Sequence, residues 1–158
     1  MITISAAQTK KYAIRLAKKI LRANRPERSR GATVIALFGD LGSGKTTFTQ
    51  GFLKALGVRE RAKSPTFVLM HHHTLIVDKG HETWDMGHFY TDVYHIDLYR
   101  LKNAREARHL ELKKILKNPR AILVIEWPEI IASALPKNAI HITFRHEKKE
   151  NQRSIHTR

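Results

Sequence analysis

The sequence predicts an α/β fold in which a mixed central sheet lies between two helical layers. Three observations predict it. Two largely apolar runs, Thr33 to Phe38 and Ala121 to Ile125, suit strands buried on both faces. Helical periodicity precedes the first run, at Ala13, Leu16, Ala17, Ile20 and Leu21, and returns from Lys45 to Leu56. A glycine-rich turn, Gly39 to Gly44, joins the first run to the second helix. No repeat, low-complexity tract or linker divides the 158 residues, so one domain over 1–158 is expected.

Taken in order, Ser5-Ala6-Ala7-Gln8 reads as a capping box that opens an amphipathic helix over residues 6 to 23. Its outer face carries Lys10, Lys11, Arg15, Lys18, Lys19 and Arg22. Asn24 to Gly31 is a polar loop. Gly57 suits the residue just past the second helix. Arg59 to Pro65 is a basic loop, Thr66 to His73 is extended, and 74 to 89 is a hairpin excursion. Val93 to Leu98 alternates like a strand. Asn103 to Leu116 is helical in pattern and strongly basic. Ile140 to Phe144 and Arg153 to His156 complete the set as terminal strands.

Composition narrows the class. With 42% hydrophobic residues the chain can bury a core. The absence of cysteine removes disulfides and thiolate metal sites, and is compatible with a reducing cytoplasm. The N-terminus has no apolar signal region, and no apolar run approaches a membrane span. A cytoplasmic protein with no membrane contact is therefore expected. Twenty-nine Lys and Arg against 14 Asp and Glu give a net charge of +15. Such a surface attracts polyanions, either RNA or an acidic protein; a lineage-wide bias toward Lys and Arg would give the same number.

The chemistry is concentrated in Gly39-Asp40-Leu41-Gly42-Ser43-Gly44-Lys45-Thr46, which fits G-x-x-x-x-G-K-[ST] between a strand and a helix. This is the P-loop pattern. A triphosphate needs many donors packed closely, and glycines let backbone N–H groups approach it without Cβ clashes. The helix N-terminus adds its positive dipole end. Lys45 supplies a point charge for the β and γ oxygens, and Thr46 a hydroxyl for Mg²⁺. The expected nucleotide-binding residues are Gly39, Asp40, Leu41, Gly42, Ser43, Gly44, Lys45, Thr46 and Thr47. ATP and Mg²⁺ are the expected ligands.

Hydrolysis also needs an acid near the metal. Glu126 ends the second apolar run, where open α/β sheets present residues to a ligand crevice. Glu126 is thus the candidate acid near the metal, beside Lys45 and Thr46 as the anchors of Mg²⁺–ATP. Asp97, in His95-Ile96-Asp97-Leu98-Tyr99-Arg100, is either a second acid near the metal or an ordinary strand-end carboxylate. Ser64-Pro65-Thr66 reads as a turn or as a loop whose hydroxyls sense the γ-phosphate. Trp127 is either packing or part of the site.

Four stretches in order, GDLGSGKTTF (39–48), KSPTF (63–67), YHIDLYRL (94–101) and ILVIEWPE (122–129), resemble the TsaE (YjeE) family of bacterial ATPases. The resemblance implies a three-layer P-loop NTPase fold and a role in threonylcarbamoylation of adenosine 37 in tRNAs reading ANN codons. It implies action with the threonylcarbamoyl transferase subunit and its paralogous partner, without transfer of the group by this chain. Carried over by position, Thr46 and Glu126 hold Mg²⁺, Asp97 assists the metal or the attacking water, and Gly39 to Thr47 hold the phosphates. Two departures stand out. Residues 71 to 93 contain an extension with three consecutive histidines, and Ala104 to Arg108 is basic where the family is acidic.

Two rival functions remain open: a small-molecule kinase, and a nucleotide-sensing RNA-binding protein. The first lacks a clear lid; neither accounts for the EWP and H-x-DLYR stretches. Arg100 and Arg153 are candidate sources of a stabilising cation. His71 and His73 share a strand face and could pair on a metal, although a solvated run is the simpler expectation. His81-Glu82 does not continue into a zinc-protease motif, because Asp85 stands where a histidine is required.

Overall fold

The computed structural model describes residues 1–23, 31–58, 69–75, 89–149 and 151–158. The apolar runs become strands because they can be covered on both faces. β2 (Thr33–Phe38) and β5 (Ala121–Glu126) are the two central ones. Around them lie β1 (Ile2–Thr3), β3 (Met70–Thr74), β4 (Asp92–Asp97), β6 (Ile140–His146) and β7 (Arg153–Thr157), in the order β1-β7-β6-β2-β5-β4-β3. The central strands β6, β2, β5 and β4 are parallel, and β1, β7 and β3 pair antiparallel at the flanks. The sheet is mixed, as expected.

Alternation along the strands sends side chains to two cores. Ile35, Leu37, Val93, Ile122 and Val124 face α1 (Ala6–Arg22) and α2 (Lys45–Ala55), meeting Ala13, Ala17, Phe48 and Phe52. Val34, Ile96, Leu123 and Ile125 face the other way, onto Ala107, Leu110, Leu112, Ile115 and Ile131. Two helical layers therefore cover one sheet.

Capping behaves as the sequence predicts, with one difference. The Gln8 amide N–H donates to Ser5 Oγ at 3.3 Å, but the Gln8 side chain accepts from the Ile4 amide at 2.9 Å instead of returning to Ser5. Gly57 has φ 81° and follows α2, as its place past the helix requires. The basic stretch 103 to 116 is not one helix. It forms a 3₁₀ segment, Glu106–Leu110, then a single turn, α3 (Leu112–Ile115), separated by Glu111 at φ 47°. The reason lies in the spacing. Ala107 and Leu110 are three apart, as are Leu112 and Ile115, but the pairs are offset by two. A continuous helix would swing the second pair off the core face, and the left-handed residue resets it.

Residues 63–67 and 76–88 lie outside the described residues, and with them Ser64, Pro65, Thr66 and the bulk of the expected hairpin excursion. No helix among the described residues is long and apolar enough to cross a membrane.

Gly51 lets α2 approach α1, since a Cβ there would fall 2.8 Å from Lys10 Cα and 2.9 Å from its carbonyl oxygen. Gly51→Ala should separate the helices and lower the unfolding free energy by about 1–3 kcal/mol, read from denaturant titration. At the β3 edge, His72 Nε2 lies 2.7 Å from Asp92 Oδ1, and Thr91 donates to Oδ2 at 2.7 Å. Burial pulls the Asp92 carboxyl upward, but the bonds from Thr91 and His72 and the charge of His72 outweigh it and hold it below its ordinary 3.8. With the folded value below the unfolded one, the contribution is complete above the ordinary value and vanishes as pH falls through the lower one. The stability gap between the parent protein and Asp92→Asn should therefore be full above the ordinary value of 3.8 and close as the pH falls below it in thermal melts, on the reasoning of linked protonation.

Candidate nucleotide and metal site

The parallel strands converge at their C-terminal ends, and every site residue arrives there. Register places Leu37, near the end of β2, beside Glu126 at the end of β5, and Asp97, at the end of β4, on the other side of Glu126. The Gly39–Gly44 turn leaves β2 and enters α2 at Lys45. Gly39 has φ 131°, and a Cβ on it would run into the Phe144 carbonyl oxygen of β6. Gly44, at φ 108°, caps α2 in a left-handed conformation that other residues rarely adopt.

Lys45 is buried, and its ammonium folds back onto its own loop. It donates to the carbonyl oxygens of Gly39 and Asp40 and sits 3.8 Å from the centroid of the Trp127 ring. Burial pushes its pKa below the usual lysine value; the charges of Glu126, Glu129, Asp97 and Asp40 oppose that shift without cancelling it. Trp127 therefore belongs to the site. It has φ 58°, its amide donates to the Leu37 carbonyl at 3.3 Å, and its ring meets Tyr99 at 4.9 Å.

Glu126 is 1% exposed. A carboxylate so placed needs donors, and it has three. Thr46 Oγ1 donates to Oε2 at 2.8 Å. Thr49 Oγ1 and His95 Nε2 each lie 3.0 Å from Oε1. Thr46 and Thr49 come from successive turns of α2, and His95 from β4, two residues before Asp97 on the same strand face. Asp97 Oδ1 accepts from the Tyr99 amide at 3.1 Å.

The turn is also held from outside. His146 Nε2 lies 3.1 Å from the Leu41 carbonyl, and the Arg153 guanidinium donates to the Gly42 carbonyl at 3.3 and 3.4 Å. Beside it opens a cavity of about 350 Å³, where Thr3, Ser5, Thr9 and Ala6 at the start of α1 face Gly42, Gly44, Thr47 and Arg153.

The expected residues are thus brought together: Gly39 to Thr47 wrap the start of α2, with Lys45, Thr46, Glu126 and Asp97 at one end of the sheet. Leu41 and Asp40 are exposed at the tip of the turn. The donor set suits a hard cation, because Thr46 Oγ1 and Glu126 Oε2 are adjacent oxygens and Asp97 supplies more on the next strand. No cluster of three or more His, Asp or Glu able to hold a metal occurs among the described residues. His71 and His73 share a face of β3, with their ring centroids 6.3 Å apart. Thr49, His95 and the cavity were not foreseen from the sequence. Thr49 could have been found from its place one turn after Lys45, and His95 from sharing the Asp97 face.

The chain matches the family described as Threonylcarbamoyl adenosine biosynthesis protein TsaE over residues 3–155. Among curated relatives, the tRNA threonylcarbamoyladenosine biosynthesis protein TsaE of Bacillus subtilis is 31% identical over 112 residues, 71% of this chain and 61% of that protein. Its namesake in Treponema pallidum is 34% identical over 113 residues, covering 72% and 73%, and that in Rickettsia felis 32% over 143 residues, covering 90% and 70%. The matched stretch spans about three fifths of the Bacillus and Haemophilus influenzae relatives, 61% and 58%. The crystal structure of YdiB from Bacillus subtilis superposes with a TM-score of 0.61 at 24% identity, covering 98% of this chain and 80% of that one, and shares the P-loop α/β fold. A likeness that runs from the edge strand β1 into the last strand β7 leaves no layer of this sheet outside it: the chain belongs to the TsaE family.

Proposed function

We propose that this chain is a Mg²⁺-dependent ATPase that serves threonylcarbamoyladenosine formation at position 37 of tRNAs reading ANN codons. The observation that carries the reading is the 2.8 Å contact between Thr46 Oγ1 and Glu126 Oε2 at the junction of the glycine turn and α2. Two hard oxygens meet where a nucleotide's phosphates would lie against backbone N–H groups and a helix N-terminus. Thr46 and Glu126 would hold the Mg²⁺, which when bound would neutralise charge on the phosphate oxygens.

The remaining roles belong to the chain itself. Gly39 to Thr47 present the phosphate-binding backbone. Lys45 exchanges its two loop carbonyls for phosphate oxygens, a swap its weakened solvation favours. Asp97 and Glu126 orient the attacking water. The cavity beside Gly42 and Thr47 is of a size for the nucleoside, between the start of α1 and Arg153. Arg153, bonded to the Gly42 carbonyl, braces the turn; a transition-state cation would come from Arg153, Arg100 or a partner.

The partners proposed are the threonylcarbamoyl transferase subunit and its paralogous companion. Leu41, 68% exposed at the tip of the turn, and Tyr99, 53% exposed beside Trp127, offer them apolar contacts at the mouth of the site. The tRNA could be met through α1, whose exposed Lys10, Lys11, Arg15, Lys18, Lys19 and Arg22 face solvent with no acidic residue on that helix. A cytoplasmic setting accords with this role.

ATP hydrolysis measured with and without the transferase partners tests the reading. Lys45→Ala, Thr46→Ala and Glu126→Gln should each lower stimulated turnover by about 10²–10³, the scale of losing one preorganised electrostatic group. Parent-like turnover in Glu126→Gln would sink it, and ATP consumed without phosphate release would point to a kinase. For tRNA, six phosphate contacts along α1 predict a loss of about 10³ in affinity between 50 and 200 mM salt. Lys11→Glu with Lys18→Glu should flatten that dependence. A flat response in the parent protein would remove tRNA from the list of direct partners.

A further inference from the structure

The proposed roles account for Glu126 Oε2 and leave Oε1 unexplained. Oε1 faces inward. It lies 3.0 Å from both His95 Nε2 and Thr49 Oγ1, the single Thr49 hydroxyl hydrogen being shared between Oε1 and the Lys45 carbonyl at 3.1 Å, whereas Oε2 receives the Thr46 hydroxyl. His95 and Thr49 are both fully buried. They come from different layers: Thr49 from α2, and His95 from β4, where it pairs in register with Val124, two residues before Glu126.

We propose that His95 and Thr49 form a buried cradle that clamps Glu126 Oε1, so that Oε2 alone is presented, with Thr46, to a divalent cation. This rests on the Mg²⁺–ATP reading and deepens it. The last torsion of a glutamate is broad and two-fold, so a carboxylate bound at one oxygen can still swing. Two donors from two rigid elements remove that freedom at Oε1, and fixing one oxygen fixes the other. The exchangeable bond is the one from Thr46, whose hydroxyl lies on the same side as Oε2. Charged or polar groups behind a metal ligand act in this way, setting its orientation without touching the metal.

The histidine carries a second sign. With the carboxylate accepting from both threonines, Nε2 is the donor, which leaves Nδ1 as the lone-pair nitrogen. Nδ1 is buried and has no hydrogen-bond partner among the described residues. A histidine kept only to satisfy the core would be expected to pair both nitrogens, because an unpaired buried polar atom is costly. Among the described residues the bonded nitrogen, Nε2, is spent on Glu126. Nor does the side chain act as a ring contact alone, since His71 stands 6.5 Å away between centroids. His95 and Thr49 are accordingly positioning residues: neither would touch the nucleotide.

The test uses the full chain and a fluorescent ATP analogue, with Mg²⁺ titrated at fixed nucleotide, for His95→Leu, His95→Gln, Thr49→Val and Thr49→Ser. Gln can return an N–H to the place of Nε2, and Ser a hydroxyl to that of Oγ1. His95→Leu and Thr49→Val should raise the half-saturating Mg²⁺ concentration about tenfold or more, the usual consequence of losing a group behind a metal ligand, while metal-free nucleotide affinity stays at the parent value. His95→Gln and Thr49→Ser should recover most of the loss. In ¹⁵N spectra of the parent protein, His95 should carry its hydrogen on Nε2 with and without Mg²⁺–nucleotide. A folded His95→Leu with parent Mg²⁺ dependence, a Gln variant no better than Leu, or equal loss of metal-free binding overturns the cradle while the ATPase reading stands. A parent protein whose nucleotide binding ignores Mg²⁺ overturns that reading and the cradle together. If His95→Leu fails to fold, the Thr49→Val and Thr49→Ser pair decides.

Discussion

A carboxylate sealed from water governs how the centre of this molecule is built. Burying Glu126 without donors would be costly, on the order of several kcal/mol for an effective desolvated charge. Its three donors come from α2 and β4, not from β5 where it resides. The bonds are met only if β4 lies beside β5 in the observed register, and only if α2 crosses above β5 with Thr46 and Thr49 facing down. Fold and site therefore share one constraint. The apolar alternation of β4 and β5 sets the register, and the register delivers Val93, His95 and Asp97 to the face on which Glu126 stands.

The glycine turn obeys a second constraint, which is to hold its shape. From within, Lys45 bridges the carbonyls of Gly39 and Asp40; from without, His146 and Arg153 bond the carbonyls of Leu41 and Gly42. Four consecutive carbonyl oxygens are thus occupied by donors, and the Ser43 amide adds a further bond to the Asp40 carbonyl at 3.2 Å. A loop that has already lost its conformational freedom spends less of its binding energy on ordering when an anion arrives. The β6–β7 pair is required for this, since Phe144 packs so close to Gly39 that no side chain fits between them. The two antiparallel strands at that edge are part of the site's scaffold, although they contribute nothing to the motif.

The layered fold was legible because its strands are apolar on both faces and its turn carries a spacing that few other structures use. Thr33–Phe38 was read to the residue, and Ala121–Glu126 to within one. Within the site, Lys45, Thr46 and Glu126 were legible because each plays a part tied to its position in a pattern. Thr49 and His95 were not. A hydroxyl one turn along a helix and an imidazole on a strand acquire meaning only when a third element brings a carboxylate between them, and that is a property of crossing geometry. The break at Glu111 was missed for a related reason: the basic residues between the apolar pairs keep a helical look, while the offset that forbids one continuous helix lies in four positions, Ala107, Leu110, Leu112 and Ile115. β1 was missed because two residues carry no period; it pairs through Ile2 with Ser154 and exists only because β7 does.

The distribution of charge supports a local over a global account of this protein. Net charge of +15 describes the surface as a whole, yet Asp40, Asp97, Glu126 and Glu129 all act on one buried lysine. A chain with half as many acids as bases keeps four of them within electrostatic reach of a single ammonium. Lys45 does not need them for solvation alone, because two carbonyls and an indole face already surround it. Their concentration makes sense if something more positive than lysine also has to be held there, and the adjacent Thr46 and Glu126 oxygens offer it a place. Basicity elsewhere brings polyanions toward the molecule over about a Debye length, roughly 8 Å at physiological salt. On the Mg²⁺–ATP reading proposed above, the acids would decide where a cation sits beside the bound anion.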